Sequence, residues 1–380
     1  MSRATPRRLR DLSVCIGLAT AAMPAAAHAA VPDCPLATTP YSVDGPLIDL
    51  LIDPRARQVL DQAGLLAKIP PFLSGTTLPT FSAIVSLDGL GDYKAMPAAA
   101  QADLRAKLAA IPIDAAATAR RCARYVDGPP PAERVKPGKP AILVFDRIIG
   151  FKDTPSVNAA TAALRAMAAR KGWQAVFTDN PGAITPAYLK QFGAVVWNNV
   201  SGDVLTVRQR QALRDFVEKG GGFVGFHGAA GDPRNIWDWY SDVLVSARFA
   251  GHPMDPQFQT ATIRVEDPKS PLMRGLGTGW ALNEEWYSFT ANPRDKGVHV
   301  LLALDEASYK PGRLAMGDHP IAWSRCVGNG RSFYSAIGHR PENYADAKNV
   351  TLLENAIGWA LGGAGAKAGP VCRGGREVAR

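Results

Sequence analysis

Cysteine is scarce: five occur in 380 residues, and none stands in a C-x-x-C pair. H-E-x-x-H is absent too. These absences remove the usual zinc and dithiol spacings. Long hydrophobic runs are also missing. The longest apolar stretch is 12–23, short of the roughly 20 residues a bilayer span needs, so no membrane span is expected. Charge is sparse at 20% and never forms a block of five like residues, which argues against a nucleic acid partner. No internal repeat is found, which removes solenoid architectures. With 47% hydrophobic residues the chain can bury a full core, as one large domain plus a smaller piece.

The first 29 residues have a secretory layout. Arg3, Arg7, Arg8 and Arg10 form a basic head, the apolar stretch 12–23 follows, and Ala27-His28-Ala29 supplies a small-residue cleavage site. A signal peptide over 1–29 predicts a periplasmic or secreted protein. Its removal takes away four arginines and Asp11, lowering the formal charge from +9 to +6. The cysteines that remain are Cys34, Cys122, Cys326 and Cys372. An even number in an exported chain points to two disulfides. Four cysteines allow three pairings; the economical one is Cys34–Cys122 and Cys326–Cys372. None of the four follows a strand in a glycine-flanked turn, so none is placed as a nucleophile.

Residues 30–135 read as a helical N-terminal segment and linker. Leu47, Leu50, Leu51, Val59 and Leu60 recur at helical spacing, with Pro54 interrupting or restarting the helix, and 97–111 reads as another helix. The stretch 127–140, rich in proline, glycine and charge, is the expected linker. From Ala141 the pattern alternates. Strands are predicted at 141–145, 173–178, 193–199 and 222–226, and helices at 158–172 and 206–221. Strands separated by helices of this length imply a parallel sheet, whose ligand crevice lies at the carboxyl ends of its strands. The pattern loosens after residue 230. Strands are expected at 261–267, 297–305, 319–325 and 330–339, the last pair joined through Gly328-Asn329-Gly330, and a final helix at 348–363. Residues 363–380 read as a tail.

The histidines carry the candidate chemistry. His227, His252, His319 and His339 sit in "GFHGAAGD", "AGHPMD", "GDHPIAW" and "IGHRPEN", all loops or strand ends. His299 alternates within a strand and reads as structural. Glu284, Glu285, Asp318 and Asp232 are acidic neighbours that can orient an imidazole or share a cation. Trp237, Trp239, Tyr240, Trp286, Tyr287 and Trp323 accompany them. Rings beside carboxylates are usual equipment for binding a sugar, although aromatics at this density more often build core.

The strings "GGGFVGFHGA", "WDWYSDVLVSARFAGHP", "NEEWYSF", "GDHPIAW" and "GNGRSFYSAIGH", in this order, make residues 141–362 resemble the ThuA-like family, named for trehalose utilisation. The resemblance implies a class I glutamine amidotransferase-like fold: α/β, a flavodoxin-like doubly wound, mostly parallel sheet, here preceded by the small helical segment. In those amidotransferases a G-x-C-x-G turn holds the nucleophilic cysteine. Gly225-Phe226-His227-Gly228-Ala229 puts a histidine there, and imidazole cannot form a glutamyl thioester. One departure stands out. Where many ThuA-like proteins carry F-R-H after the first strand, this chain has Phe151-Lys152-Asp153.

The implied ligand is a small-molecule carbohydrate, a disaccharide or oxidised sugar. His227, Glu285, His319 and His339 are the expected catalytic set. Trp239, Tyr240, His252, Tyr287 and Asp318 are the expected substrate contacts. The cofactor is left open, with a divalent metal as one candidate, and the oligomeric state is not indicated. The alternative is a non-catalytic sugar-binding or partner-binding module on the same fold.

Overall fold

The computed structural model describes residues 32–362 and 371–378, together with Met1. The expected signal peptide and most of the expected tail lie outside these residues.

The N-terminal region carries five helices among the described residues: α1 (Leu47–Ile52), α2 (Pro54–Gln62), α3 (Gly91–Lys94), α4 (Ala98–Ala109) and α5 (Ala115–Cys122). Leu47, Leu50 and Leu51 of α1 meet Leu60, Leu104 and Leu108 in one apolar cluster. Asp53 explains why the first helix breaks and the second begins. Its buried carboxylate caps α2 through the backbone N–H of Arg55 at 2.9 Å and accepts from the Tyr41 hydroxyl at 2.7 Å, while Pro54 occupies the first helical position, where its missing N–H costs nothing. The Cys34–Cys122 disulfide closes this region and Cys326–Cys372 anchors the C-terminal hairpin, with Cα separations of 5.6 and 5.3 Å.

The larger region is built on a nine-stranded sheet. Its strands are β1 (Ala141–Phe145), β2 (Gln174–Thr178), β3 (Ala194–Asn198) and β4 (Gly222–Phe226). The tiny strand β5 (Phe249–Gly251) belongs elsewhere. Then come β6 (Gln259–Val265) and β7 (Gly279–Glu284), a second tiny strand β8 (Ser288–Phe289), and β9 (His299–Asp305), β10 (His319–Val327) and β11 (Gly330–Ser335). The spatial order is β2-β1-β3-β4-β11-β10-β9-β6-β7. The first five run mutually parallel, and from β11 onward each neighbour is antiparallel. β1, β3 and β4 are buried along their whole length, as their largely apolar sequences require. Helices α6 (Thr154–Lys171), α7 (Pro186–Leu189), α8 (Val207–Glu218) and α9 (Ala347–Ala360) complete the region. Among them α6 packs on β2 and β3, and α9 on β3, β4 and β11.

Direction along this sheet positions the site. Alternation from β11 through β10, β9 and β6 leaves β7 pointing the same way as β4 and β11. The carboxyl ends of β4, β11 and β7 therefore share one edge. His227 follows the first, His339 lies shortly after the second, and Glu285 follows the third.

Candidate functional site: three imidazoles on one carboxylate

β4 delivers His227 into a tight turn. Phe226 is extended, His227 has φ 43°, and residues 227–230 form a single 3₁₀ turn. A non-glycine residue in that left-handed region is uncommon, and such outliers cluster at functional sites. The ring is fixed on both sides. His227 Nδ1–H donates to the Ala336 carbonyl at 3.0 Å, and the Tyr287 hydroxyl donates to Nε2 at 2.9 Å. The backbone from the end of β11 thus holds the imidazole of the β4 turn.

Glu285 is the hub. Its Oε2 accepts from His339 Nδ1 at 2.9 Å and lies 3.5 Å from His227 Nε2. Its Oε1 faces His252 Nε2 at 3.2 Å and accepts from Gln257 Nε2 at 2.5 Å. The side chain is 2% exposed. Burial alone would raise its pKa, but the contacts from His227 and His339 outweigh that and hold the carboxyl well below the usual range. His339 answers in the opposite sense: burial would lower it, yet the Glu285 hydrogen bond and charge raise it.

The three imidazoles differ in exposure. His227 is 5% exposed, against 13% for His339 and 20% for His252. The His339 ring is flanked by Phe151 at 5.9 Å and Phe258 at 5.1 Å between centroids. A cavity of about 550 Å³ lies at the carboxyl ends of β1 and β2, lined among others by Asp146, Arg147, Lys152 and Arg165.

The supporting layer is built from buried polar groups. Glu284 accepts from the backbone N–H groups of Gly338 at 3.0 Å and Arg340 at 3.2 Å, and from Asn343 Nδ2 at 2.8 Å. Tyr344 donates to the Gly338 carbonyl at 2.9 Å and accepts from Asn199. The loop that presents His339 is therefore pinned at several points. Chemically, the arrangement can move a proton through the His339–Glu285 pair or hold a cation between imidazole and carboxylate.

Residues 141–360 match the ThuA family, described as trehalose utilisation. The chain belongs to the ThuA family. Among solved structures it is similar to a ThuA-like protein from Bacteroides uniformis at 27% identity and TM-score 0.51, covering 60% of this chain and 94% of that one. It is also similar to a ThuA-like protein from Parabacteroides merdae at 17% identity and TM-score 0.44, covering 59% and 90%. No curated protein matches.

Within this ThuA chain, His227, His252, His339, Glu285 and Tyr287 meet. His319 stands one step back: at the start of β10 its Nε2–H donates to the Tyr287 carbonyl at 2.9 Å, and Nδ1 faces Glu306 at 2.8 Å. It positions Tyr287 rather than touching Glu285. The contacts of Trp239 are with Trp237, with Glu218 Oε1 at 3.2 Å and with the Arg214 guanidinium. Tyr240 is core, packed on Trp197 and donating to the Ala229 carbonyl. Asp318 pairs with Arg294 and Asn292. Tyr287 is itself buried against Phe249, so the rings that face outward beside His339 are Phe151 and Phe258. Asp153, in the divergent Phe151-Lys152-Asp153 string, caps α6 through the Ser156 N–H at 3.3 Å. Phe151 stands in the divergent string but nothing marks it there as a site ring, and Gln257 and Phe258 carry no sequence signal that would have singled them out.

Proposed function

We propose that this ThuA-family chain is an exported carbohydrate-acting enzyme on a doubly wound, amidotransferase-like scaffold. Its reaction centre is the cluster around Glu285. The observation that carries the reading is three imidazoles on one buried carboxylate, at the edge where a parallel sheet gathers its ligand crevice. Sugar hydroxyls would meet the two more open imidazoles, His252 and His339. The apolar face of a sugar ring would lie on Phe151 and Phe258. The ligand class is a disaccharide or an oxidised sugar derivative, following the family's description.

Glutamine hydrolysis fits poorly with the same residues. His227 occupies the elbow, and Cys34, Cys122, Cys326 and Cys372 are all held in disulfides, so no free thiol stands among the described residues. The two disulfides also support export. A second reading, a sugar-binding module without turnover, draws on Asp153. That residue caps α6 where many ThuA-like proteins carry the histidine of F-R-H, and it brings no imidazole to the crevice.

The test is turnover by the purified chain on a panel of disaccharides and their keto derivatives, with binding measured in parallel by calorimetry. Turnover abolished by Glu285→Gln supports the enzyme. Binding without turnover selects the module, and neither binding nor turnover on any sugar removes the carbohydrate reading.

A further inference from the structure

The hydrogen positions on two of the three imidazoles are set by backbone carbonyls. A carbonyl oxygen only accepts, so the Ala336 oxygen 3.0 Å from His227 Nδ1 requires a proton on that nitrogen. The Pro253 oxygen 3.0 Å from His252 Nδ1 requires the same there. In the neutral ring the other nitrogen, Nε2, then carries only a lone pair. Both Nε2 atoms face Glu285, at 3.5 Å from Oε2 and 3.2 Å from Oε1. The His227 Nε2 lone pair accepts the Tyr287 hydroxyl at 2.9 Å and the His252 Nε2 lone pair faces the carboxylate directly, with the His227 and His339 ring centroids 5.0 Å apart. Lone pairs of nitrogen and carboxylate oxygen gathered this closely are the donor set that a cation takes.

The geometry points to a divalent transition-metal site formed by His227 Nε2, Glu285 Oε2 and His339 Nδ1. These ligand atoms all lie within 4.8 Å of one another. The spacings of Glu285 Oε2 to the two nitrogens, 3.5 and 2.9 Å, bracket the separation of about 3.4 Å expected between neighbouring ligands of a tetrahedral zinc ion with bonds near 2.1 Å. Nitrogen-rich donors favour zinc or a neighbouring transition metal over magnesium or calcium, which take oxygen ligands. The Ala336 carbonyl fixes the His227 tautomer in the manner common to metal-bound histidines. Two imidazoles and one carboxylate would leave one position of a four-coordinate ion for a further ligand, which a sugar oxygen could fill. The site uses the same side chains as the proposed sugar reaction but does not depend on the identity of the sugar.

The test takes the full chain, strips it with chelator, and equilibrates it separately with Zn²⁺, Mn²⁺, Mg²⁺ and Ca²⁺ before desalting and elemental analysis. One Zn²⁺ retained per chain is expected, with no Mg²⁺ or Ca²⁺. Co²⁺ should give the visible absorption of a low-symmetry site with nitrogen ligands. His339→Ala and Glu285→Ala should weaken Zn²⁺ at least about tenfold, while Trp239→Ala, whose contacts lie with Glu218 and Trp237, leaves it unchanged; circular dichroism checks folding. Failure to retain Zn²⁺ in the wild type, or equal retention in the ligand variants, overturns the site. The Co²⁺ spectrum is read on the wild type, so a misfolded variant does not blunt the result. Sugar turnover that persists in chelated protein defeats the metal and spares the sugar reading; bound Zn²⁺ without turnover on any sugar does the reverse.

Discussion

The carboxylate of Glu284 accepts the backbone N–H of Gly338 at 3.0 Å, joining the end of β7 to the loop that carries His339. One buried side chain therefore sets the distance between the two loops that bring Glu285 and His339 together. Burial raises the pKa of Glu284, with the donors from Asn343 and the backbone opposing. Glu284→Ala would strand the N–H groups of Gly338 and Arg340 and the Asn343 amide. A loss of about 2–4 kcal/mol in urea unfolding is expected, together with loss of ligand binding. Glu284→Gln should cost less, since it keeps one acceptor oxygen.

Gly338 itself has φ 147°, and a Cβ there would stand 2.4 Å from the Tyr344 hydroxyl and 3.1 Å from His227 Cβ. Gly338→Ala is expected to destabilise by about 2–4 kcal/mol through backbone strain and this collision. Adding Tyr344→Phe removes the colliding oxygen, so the double variant should lose less than the sum of the single losses. Additive losses would show that the backbone conformation alone is responsible.

Asp232 sets a pH dependence. Its half-buried carboxyl is pushed up to about 7 by burial, against the opposing hydrogen bonds from Ser201 at 2.6 Å and the Gly202 N–H at 2.7 Å. In the unfolded chain it titrates near 4. Between about pH 4 and 7 the folded state holds a proton that the unfolded state has released, so stability from this group falls as pH rises through that window and levels off above it. Partial solvent contact reduces the effect to about 1–2 kcal/mol. Asp232→Asn should flatten the slope when denaturant midpoints are compared at pH 4.5 and 8.

The disulfides span 88 and 46 residues of sequence. Chain-entropy reasoning assigns each about 4–5 kcal/mol at most. Dithiothreitol should lower the melting temperature, Cys34→Ser and Cys326→Ser should each reproduce part of that drop, and unreduced peptide mapping should recover only these two pairs.

The strands over 141–145 and 222–226 were legible because a fully buried parallel strand is a short apolar run bounded by turn residues, and that signal is local. The break at Pro54 and the histidine placed directly after β4 were legible for the same reason. Non-local facts were not. β7, "GWALNE", has no clean alternation: its residues are partly exposed and only Leu282 and Glu284 are buried. Hence neither the strand nor the role of Glu285 as the meeting point of three histidines could be read from it. Trp239 and Tyr240 shared a motif with aromatic character, yet the turn over Trp239–Leu244 directs one toward Glu218 and the other into the core. Sequence alone determined which residues alternate, cap and turn, because those preferences depend on neighbours along the chain. Only the tertiary structure decided which imidazoles touch which carboxylate. That depends on strand direction across an antiparallel extension of the sheet, and distances between residues separated by 33 to 58 positions in the chain (His252 and His227 from Glu285) are set by how the layers close rather than by any local spacing.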